Sequence, residues 1–501
     1  MKKYLVSATL SITILLLTQI SFGQKVGIFE GHNDIGSKVK SGSATYISQT
    51  QQYVISGSGE NVWADRDEFH FVWKRMKGDF ILYTRAAFVG KGVDPHRKIG
   101  WMVRNSLEGN SAHINAVVHG DGLTALQFRK TSGATTEEKR NKLAHADVIQ
   151  LERKGDIYTM RVAKFGETFV TEVLTDLKLG EDVYVGLFVG SHNKDVTETG
   201  VFRDVQITVP AVDNKTAMTL GSNLEIMEIA TGNREIIYNV PYSIQAPNWT
   251  NDGKSLIYNG SDGLIYNFDL ATRKPTLVNT GNVIKNNNDH VISFDGKMLG
   301  LSSSVKELGG SIIYTVPITG GTPKQVTPRG PSYLHGWSPD GKDMVFCGER
   351  NGEYDVYKVP AAGGPEVRLT DSKGLDDGPE YSPDGKYIYF NSVRTGTMQI
   401  WKMKPDGSNQ EQVTFDDFNN WFAHISPDGK SMVFLSFLKE EVEPGMHPPY
   451  KHVYIRYLPI TGGTPKVLAY VYGGQGTINT PSWSPDSKKI AFVSNSEHTS
   501  R

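Results

Sequence analysis

Between residues 249 and 488 one phrase recurs six times: an aromatic or apolar residue, a short polar pair, Asp-Gly-Lys, then an apolar run. The copies are Trp249-Thr-Asn-Asp252-Gly-Lys, Ile292-Ser-Phe-Asp295-Gly-Lys, Trp337-Ser-Pro-Asp340-Gly-Lys, Tyr381-Ser-Pro-Asp384-Gly-Lys, Ile425-Ser-Pro-Asp428-Gly-Lys and Trp483-Ser-Pro-Asp486-Ser-Lys. Successive aspartates stand 43, 45, 44, 44 and 58 residues apart. A period near 44 with Asp-Gly turns between apolar strands predicts a β-propeller with one blade per copy. The last copy carries only two strands, Pro481-Ser-Trp483 and Lys489-Ile-Ala-Phe-Val493. Its partners are expected upstream, in Asn223-Leu-Glu-Ile-Met-Glu-Ile229 and Arg234-Glu-Ile-Ile-Tyr238, so strands from residues 220–240 close the ring and cover its open edge.

A chain of 501 residues exceeds one hydrophobic core, so at least two domains are expected. Residues 26–209 alternate apolar and polar positions with turn residues between, as in Phe69-His-Phe-Val-Trp73 and Val183-Tyr-Val-Gly-Leu-Phe188, which predicts a β-sandwich of roughly a dozen strands. The polar stretch Thr131 to Ala146 reads as a loop or one helical turn. The fold class is therefore all-β: a sandwich over 24–209, a proline-led linker over 210–217 and a six-bladed propeller over 218–501. Lys2, Lys3, the apolar run Tyr4 to Ile20 and Ser21-Phe22-Gly23 read as a signal peptide over 1–23, cleaved before Gln24. No cysteine accompanies it, so no lipid anchor is expected, and a periplasmic or secreted protein follows. The net charge of -1 argues against nucleic acid as a partner. Nothing beyond the N-terminus reaches the length of a membrane span, and a ring that buries its own edges is expected to be a monomer. The one cysteine, Cys347, lies in an apolar strand and reads as core.

Two resemblances carry further. Gly78-Asp-Phe, Lys98-Ile-Gly-Trp-Met-Val-Arg-Asn-Ser, Tyr184-Val-Gly-Leu-Phe-Val-Gly-Ser-His and Phe202-Arg-Asp-Val-Gln-Ile resemble the concanavalin-like jelly rolls appended to extracellular carbohydrate-active proteins. That resemblance implies an accessory sugar-binding domain in which Trp101, Arg104 and His192 touch sugar. Strand packing explains the same residues equally well. The Trp-Ser-Pro-Asp-Gly-Lys repeats resemble the TolB-like six-bladed propellers over residues 218–495, which implies a protein-interaction scaffold.

In a four-stranded blade the turn between strands A and B lies on one face of the ring. The start of A, the B–C loop and the D–A connection lie on the other. The six turns, five Asp-Gly and one Asp486-Ser487, are nearly identical, so a turn-forming role suffices for them. The opposite face holds what the repeats do not share: Asp289-His290, His335, Asp376-Asp377-Gly-Pro-Glu380, Trp421-Phe-Ala-His424 and Gly473-Gly-Gln475-Gly-Thr-Ile-Asn479. The 58-residue gap is read as a B–C insertion, Leu438 to His452, carrying His447 and His452. Five of thirteen histidines thus fall at one mouth. Convergent imidazoles can bind a transition metal or supply a general base, and they also serve as polar rim residues. His290, His335 and His424 are the candidate catalytic residues. His335, His424 and His447 are the candidate ligands of a divalent Mn, Ca or Zn ion. Arg329, Asp376, Asp377, Glu380, Trp421, His447, Lys451, Gln475 and Asn479 are the candidate substrate contacts. Lys285, Arg350 and Arg394 add positive charge on this face, although an Arg repeated in two blades reads equally as a hairpin brace. His290 and His335 stand five residues before their aspartates and His424 four, so strand alternation points His424 elsewhere.

The same mouth resembles that of the oligogalacturonate lyases, which implies a metal-bearing enzyme acting on an acidic oligosaccharide, with Arg329 and Lys451 neutralising the uronate. A polysaccharide lyase or glycoside hydrolase, a non-catalytic glycan-binding protein and a TolB-like scaffold are the three functional expectations.

Overall fold

The computed structural model describes residues 25–36, 40–211 and 220–497. The expected signal peptide and most of the expected linker lie outside them. Among the described residues no helix is long and apolar enough to cross a membrane.

The first half is built from two seven-stranded antiparallel sheets. One runs in the spatial order 31–35, 69–77, 182–190, 98–104, 113–119, 124–129 and 137–140. The other runs 170–174, 157–163, 148–154, 80–88, 193–208, 52–59 and 43–47. Alternation puts Val72, Ile99, Trp101, Val103 and Ile114 of the first sheet against Ile55, Leu82, Ile149, Leu151 and Met160 of the second, in one continuous core. Part of the polar stretch 131–146, expected as a loop, pairs as the edge strand Glu137–Arg140. Its charged side chains suit an edge that must not recruit further strands.

The second half is a six-bladed propeller. Blades 1 to 5 are four-stranded, with inner strands Ile244–Trp249, Asn286–Ile292, Ser332–Trp337, Asp376–Tyr381 and Asn419–Ile425. The sixth is a sheet of Arg234–Val240, Gly221–Glu228 and Lys489–Ser496, with Trp483 bridged to Ile490 as its inner edge. The ladder from Gly221↔Ser496 to Glu228↔Lys489 closes the ring with strands from both ends of the domain, as expected. Each motif folds the same way. The Ser Oγ donates to the Asp two residues on, at 2.7 Å for Ser338–Asp340 and 2.6 Å for Ser484–Asp486. The same Asp accepts the backbone N–H two residues further on, closing the turn (Lys342 and Lys488).

The inner strands are not regular. In each of blades 1 to 5 the pairing of A with B shifts register, for example between Leu334 and Gly336, Asp377 and Glu380, and Trp421 and His424. Ala246, Gly378 and Phe422, each six residues before its motif aspartate, carry φ of 56°, 59° and 54°. A β-bulge re-aims the side chains that follow it. This is how the mouth comes to differ from a plain alternation.

The two domains share a packed seam. Tyr83, Val148, Ala163, Phe165 and Phe169 of the sandwich join Phe418, Leu438, Tyr454, Val467 and Tyr470 of the propeller in one cluster. The Gln51 side chain pairs like a peptide group with the N–H and carbonyl of Ile236, at 3.1 and 2.9 Å.

Candidate functional site

The inner strands of blades 1 to 5 and the Trp483 edge of blade 6 surround a channel with a different cavity at each end. On the face opposite the Asp-Gly turns, a cavity of about 490 Å³ is lined by Asn287, Asn288, Asp289, Tyr333, His335, Cys347, Tyr354, Leu375, Asp377, Gly445, His447 and Gln475. At its centre His335 is almost fully buried. Its Nε2 lies 3.2 Å from Asp377 Oδ1 and 4.0 Å from Asp289 Oδ1. The imidazole lies flat against Phe422, with centroids 5.8 Å apart and planes 17° apart. His447 closes the wall, its Nε2 3.9 Å from Asp377 Oδ2 and its ring edge-on to Trp421 at 4.5 Å.

Electrostatics separates the two carboxyls. Burial penalises the Asp377 carboxylate, but His335 at 3.2 Å, the charge of His447 and the Gly378 N–H that donates to it at 2.6 Å outweigh it and hold the group down at about 2. Burial pushes Asp289 the other way, above the ordinary carboxyl value, against the pull of His335 and the Asn479 amide that donates to it at 2.7 Å. Burial disfavours charge on His335 too, yet Asp377 and Asp289 raise its pKa above the usual histidine value. The mouth thus holds a carboxyl with lowered proton affinity, a histidine with raised proton affinity and a second carboxyl with raised proton affinity, all facing one cavity.

The other candidates are placed less centrally. His290 is fully buried between blades, with Nε2 3.3 Å from the Ile257 carbonyl oxygen, and it does not line the cavity. His424 sits below the mouth with both nitrogens engaged, Nδ1 at 2.6 Å from Glu380 Oε2 and Nε2 at 2.8 Å from the Ile478 carbonyl oxygen. His452 is not in the insertion: the inserted loop ends at Tyr450, and strand C begins at Lys451 and carries His452 to the domain seam. The described residues offer no group of three or more His, Cys, Asp or Glu placed to hold a metal ion. His335, His424 and His447 therefore do not fit a metal centre.

Asp376 is fully buried beneath the cavity, receiving hydrogen bonds from Arg394 and Ser372, both at 2.9 Å. Arg350 and Arg394 brace hairpins, Arg350 through a two-pronged pair with Glu366 at 2.9 and 2.8 Å. Trp421 and Phe422 are buried and cannot offer a ring face to a sugar. Arg329 projects into solvent, and neither it nor Lys451 lines the cavity. Asn479 acts through Asp289, whereas Gln475 lines the wall directly. In the sandwich, Trp101 belongs to the core and Arg104 is fully buried beside Asp67, so neither reaches a ligand. His192, partly exposed, pairs with Asp94 at 3.2 Å.

Sequence reasoning missed Tyr333, Tyr354, Asn287 and Asn288. Tyr333 and Tyr354 lie near-parallel at 6.5 Å on the cavity rim, Tyr354 37% exposed. Both stand at strand starts on the face already singled out, and an aromatic at such a start was the available signal.

At the opposite end of the channel a cavity of about 250 Å³ is apolar. Trp249, Trp337, Tyr381, Trp483, Phe294, Pro383, Pro427 and Pro485 line it, with Glu380 at its base. Here the repeated motif itself makes the wall.

Comparison with known proteins agrees with this architecture. The profile of the TolB β-propeller domain (PD40) matches residues 335–445. An uncharacterised protein of Agrobacterium fabrum is 44% identical over 276 residues, which cover 55% of this chain and 92% of that one. The solved structure of a TolB candidate from Agrobacterium tumefaciens, also 44% identical, covers 55% of this chain and 99% of its own, with a TM-score of 0.53. An oligogalacturonate lyase from Vibrio parahaemolyticus is 16% identical, covers 55% of this chain and 97% of its own, and has a TM-score of 0.34, too low to transfer any chemistry. Through its propeller half, the chain belongs to the family of TolB-like six-bladed β-propellers.

Proposed function

We propose that this is an exported carbohydrate-acting protein whose propeller mouth receives an oligosaccharide, with the N-terminal sandwich as an accessory glycan-binding domain of the concanavalin-like jelly-roll type. The observation that carries this reading is the lining of the 490 Å³ cavity. Tyrosine faces, amides and carboxyls converge there in a volume suited to a small ligand. Aromatic faces take the apolar side of a pyranose, while amides and carboxylates take its hydroxyls.

The lining also selects among glycans. It contains Asp289 and Asp377 and no lysine or arginine. A lyase acting on a uronate needs positive charge to stabilise the enolate that forms, and in this lining the basic groups His335 and His447 already stand against Asp377. A neutral or amino-bearing glycan suits it better than an acidic one. Where two carboxyls are driven apart in proton affinity, one can serve as acid and the other as base or nucleophile. Asp289, raised, would be the acid. Asp377, lowered, would be the ionised partner, with His335 beside it and Asn479 holding Asp289. Hydrolysis or simple binding, rather than lyase chemistry, is the activity these groups support.

The test is calorimetric titration and reducing-end release with a panel of neutral, amino and uronate oligosaccharides. Saturable binding of a neutral or amino glycan, weakened at least tenfold in His335→Gln, supports the reading. A panel bound by neither wild type nor variant would sink it.

A second reading is a protein-interaction propeller. Its support is the 44% identity to a TolB candidate together with the apolar cavity on the turn face. A scaffold would bind a peptide or folded partner and leave the glycan panel silent.

A further inference from the structure

One wall of the mouth is not built by a blade. It is the insertion 438–450, which leaves blade 5 after Phe437 and returns at Lys451. This loop contains no helix or strand, so contacts outside it must fix its shape. Its root is held at three points. Leu438 packs into the aromatic seam between the domains. Asn419 Nδ2 donates to the Val442 carbonyl at 2.9 Å, and the Val442 side chain is buried with Trp421 and Phe422. The Glu441 carboxylate accepts the His452 backbone N–H at 3.3 Å and lies 2.9 Å from His452 Nδ1.

The third point crosses the domain boundary. The other nitrogen of His452 lies 3.3 Å from Glu152 Oε2, on the sandwich strand Val148–Lys154. Arg161, on the neighbouring strand, also pairs with Glu152 and donates to Gln150 at 3.0 Å. All members are largely buried. Burial opposes charge on His452, yet Glu152 and Glu441 push its pKa up to about 9. Burial likewise opposes ionisation of Glu152, but His452 and Arg161 hold it at about 2. The imidazolium is thus clamped between one carboxylate from each domain. From this anchored root the loop carries Gly445 and His447 to the cavity. There His447 meets Trp421 at 4.5 Å and Phe422 at 5.7 Å.

We propose that the N-terminal sandwich is a positioning part of the propeller mouth: Glu152, through His452 and Glu441, fixes the insertion that sets His447 against Trp421 and beside Asp377. The inference rests on the mouth being the site, and it adds that the mouth is complete only with both domains docked. Removing Glu152 leaves His452 with a single carboxylate and removes the charged link between the loop root and the sandwich, with Leu438 in the seam as the contact that remains. His447, with no blade strand of its own, is then held less firmly in the wall.

The test uses the full chain and needs no ligand. Glu152→Gln and, as a second variant that removes the same link, His452→Gln are compared with wild type by histidine-selective NMR and amide hydrogen exchange. The His447 resonance is assigned by its loss in His447→Gln. The indole of Trp421 and the ring of Phe422 shift that resonance away from the position of a free histidine. In both variants it is expected to move back toward that position. Peptides covering 438–450 are expected to exchange at least tenfold faster, with the strands of both domains unchanged. If Glu152→Gln does not fold, His452→Gln carries the comparison. An unmoved His447 resonance with unchanged protection over 438–450 would overturn the proposal. Glycan titration of the same variants separates the two claims. A freed loop in a protein that binds no glycan would count against the functional reading and leave the positioning role standing. Weakened binding with an unmoved loop would overturn the positioning role alone.

Discussion

The two ends of the propeller channel are made from the same inner strands and present different chemistry. At the turn end every copy repeats, and its products are Trp249, Trp337, Trp483 and the prolines of an apolar funnel. At the start of the strands nothing repeats, and the result is a polar mouth around Asp289, His335 and Asp377. The difference follows from what each end must do. The turn end fixes blade geometry, through the serine–aspartate turn and through indoles that reach the neighbouring blade. Trp337 Nε1 donates to the Val291 carbonyl, and Trp483 Nε1 to the His424 carbonyl, both at 2.9 Å. The strand start is freed by its bulges from strict alternation, so it can carry residues chosen for something other than packing.

The largest effect expected from breaking this contrast lies at the turn end. Trp337→Ala removes a buried indole and its inter-blade hydrogen bond, and should cost about 3–5 kcal/mol. His447→Gln at the mouth, where the side chain is 27% exposed, should cost less than about 1 kcal/mol. Urea midpoints of the two variants measure both. A Trp337→Ala midpoint close to wild type would show that the repeats do not bear the stability assigned to them.

Next in size is the clamp that serves the mouth from the sandwich. His452 has a folded value raised to about 9 from an ordinary value near 6.5. Its contribution is therefore fully present below about pH 6.5 and is lost as pH rises through about 9. A displacement of that size corresponds to about 3 kcal/mol. The stability gap between wild type and His452→Gln should close between those limits. A gap that stays constant up to pH 10 would mean that the clamp is uncharged.

Asp377 behaves in the opposite sense and somewhat more weakly. Its folded value is lowered to about 2, so its contribution is present above its ordinary value near 4 and lost as pH falls toward 2. That difference is worth about 2 kcal/mol. Asp377→Asn should therefore lose stability at pH 5 and converge on wild type near pH 2. His335, raised by the same pairing, adds a share that is present below its ordinary value and fades as pH rises through its folded value. The gap should accordingly be widest between about pH 4 and pH 6.5.

These contrasts show which parts of the molecule were legible in the sequence. A repeat is readable because six turns obey one constraint, and the ring closure by residues 221–240 followed from counting strands. The mouth was legible only as a face. His290 and His335 stand at the same distance from their motif aspartates, yet His335 faces the cavity and His290 is sealed against Ile257. The cause is the register shift, which lies between Asn286 and His290 in one blade and between Leu334 and Gly336 in the next. No residue type at those positions announces where the bulge falls. His452 was misplaced for a similar reason: the end of an insertion cannot be read from its length. The sandwich clamp was not readable at all, because Glu152 and His452 are 300 residues apart.

The finest contrast uses two exposed aromatics at opposite ends of the channel. Tyr354 is 37% exposed on the mouth rim and Phe294 is 40% exposed on the funnel rim. Neither is deeply packed, so Tyr354→Ala and Phe294→Ala should each change stability by less than about 1 kcal/mol. Their effects on binding should diverge. Loss of an aromatic face against a sugar is worth about 1 kcal/mol, so Tyr354→Ala should weaken glycan binding several-fold and Phe294→Ala should leave it unchanged. Titration of both variants with the same oligosaccharide decides which rim the ligand meets. If the two results are exchanged, the glycan enters from the turn face, and the repeated motif, rather than its unrepeated counterpart, is the binding surface.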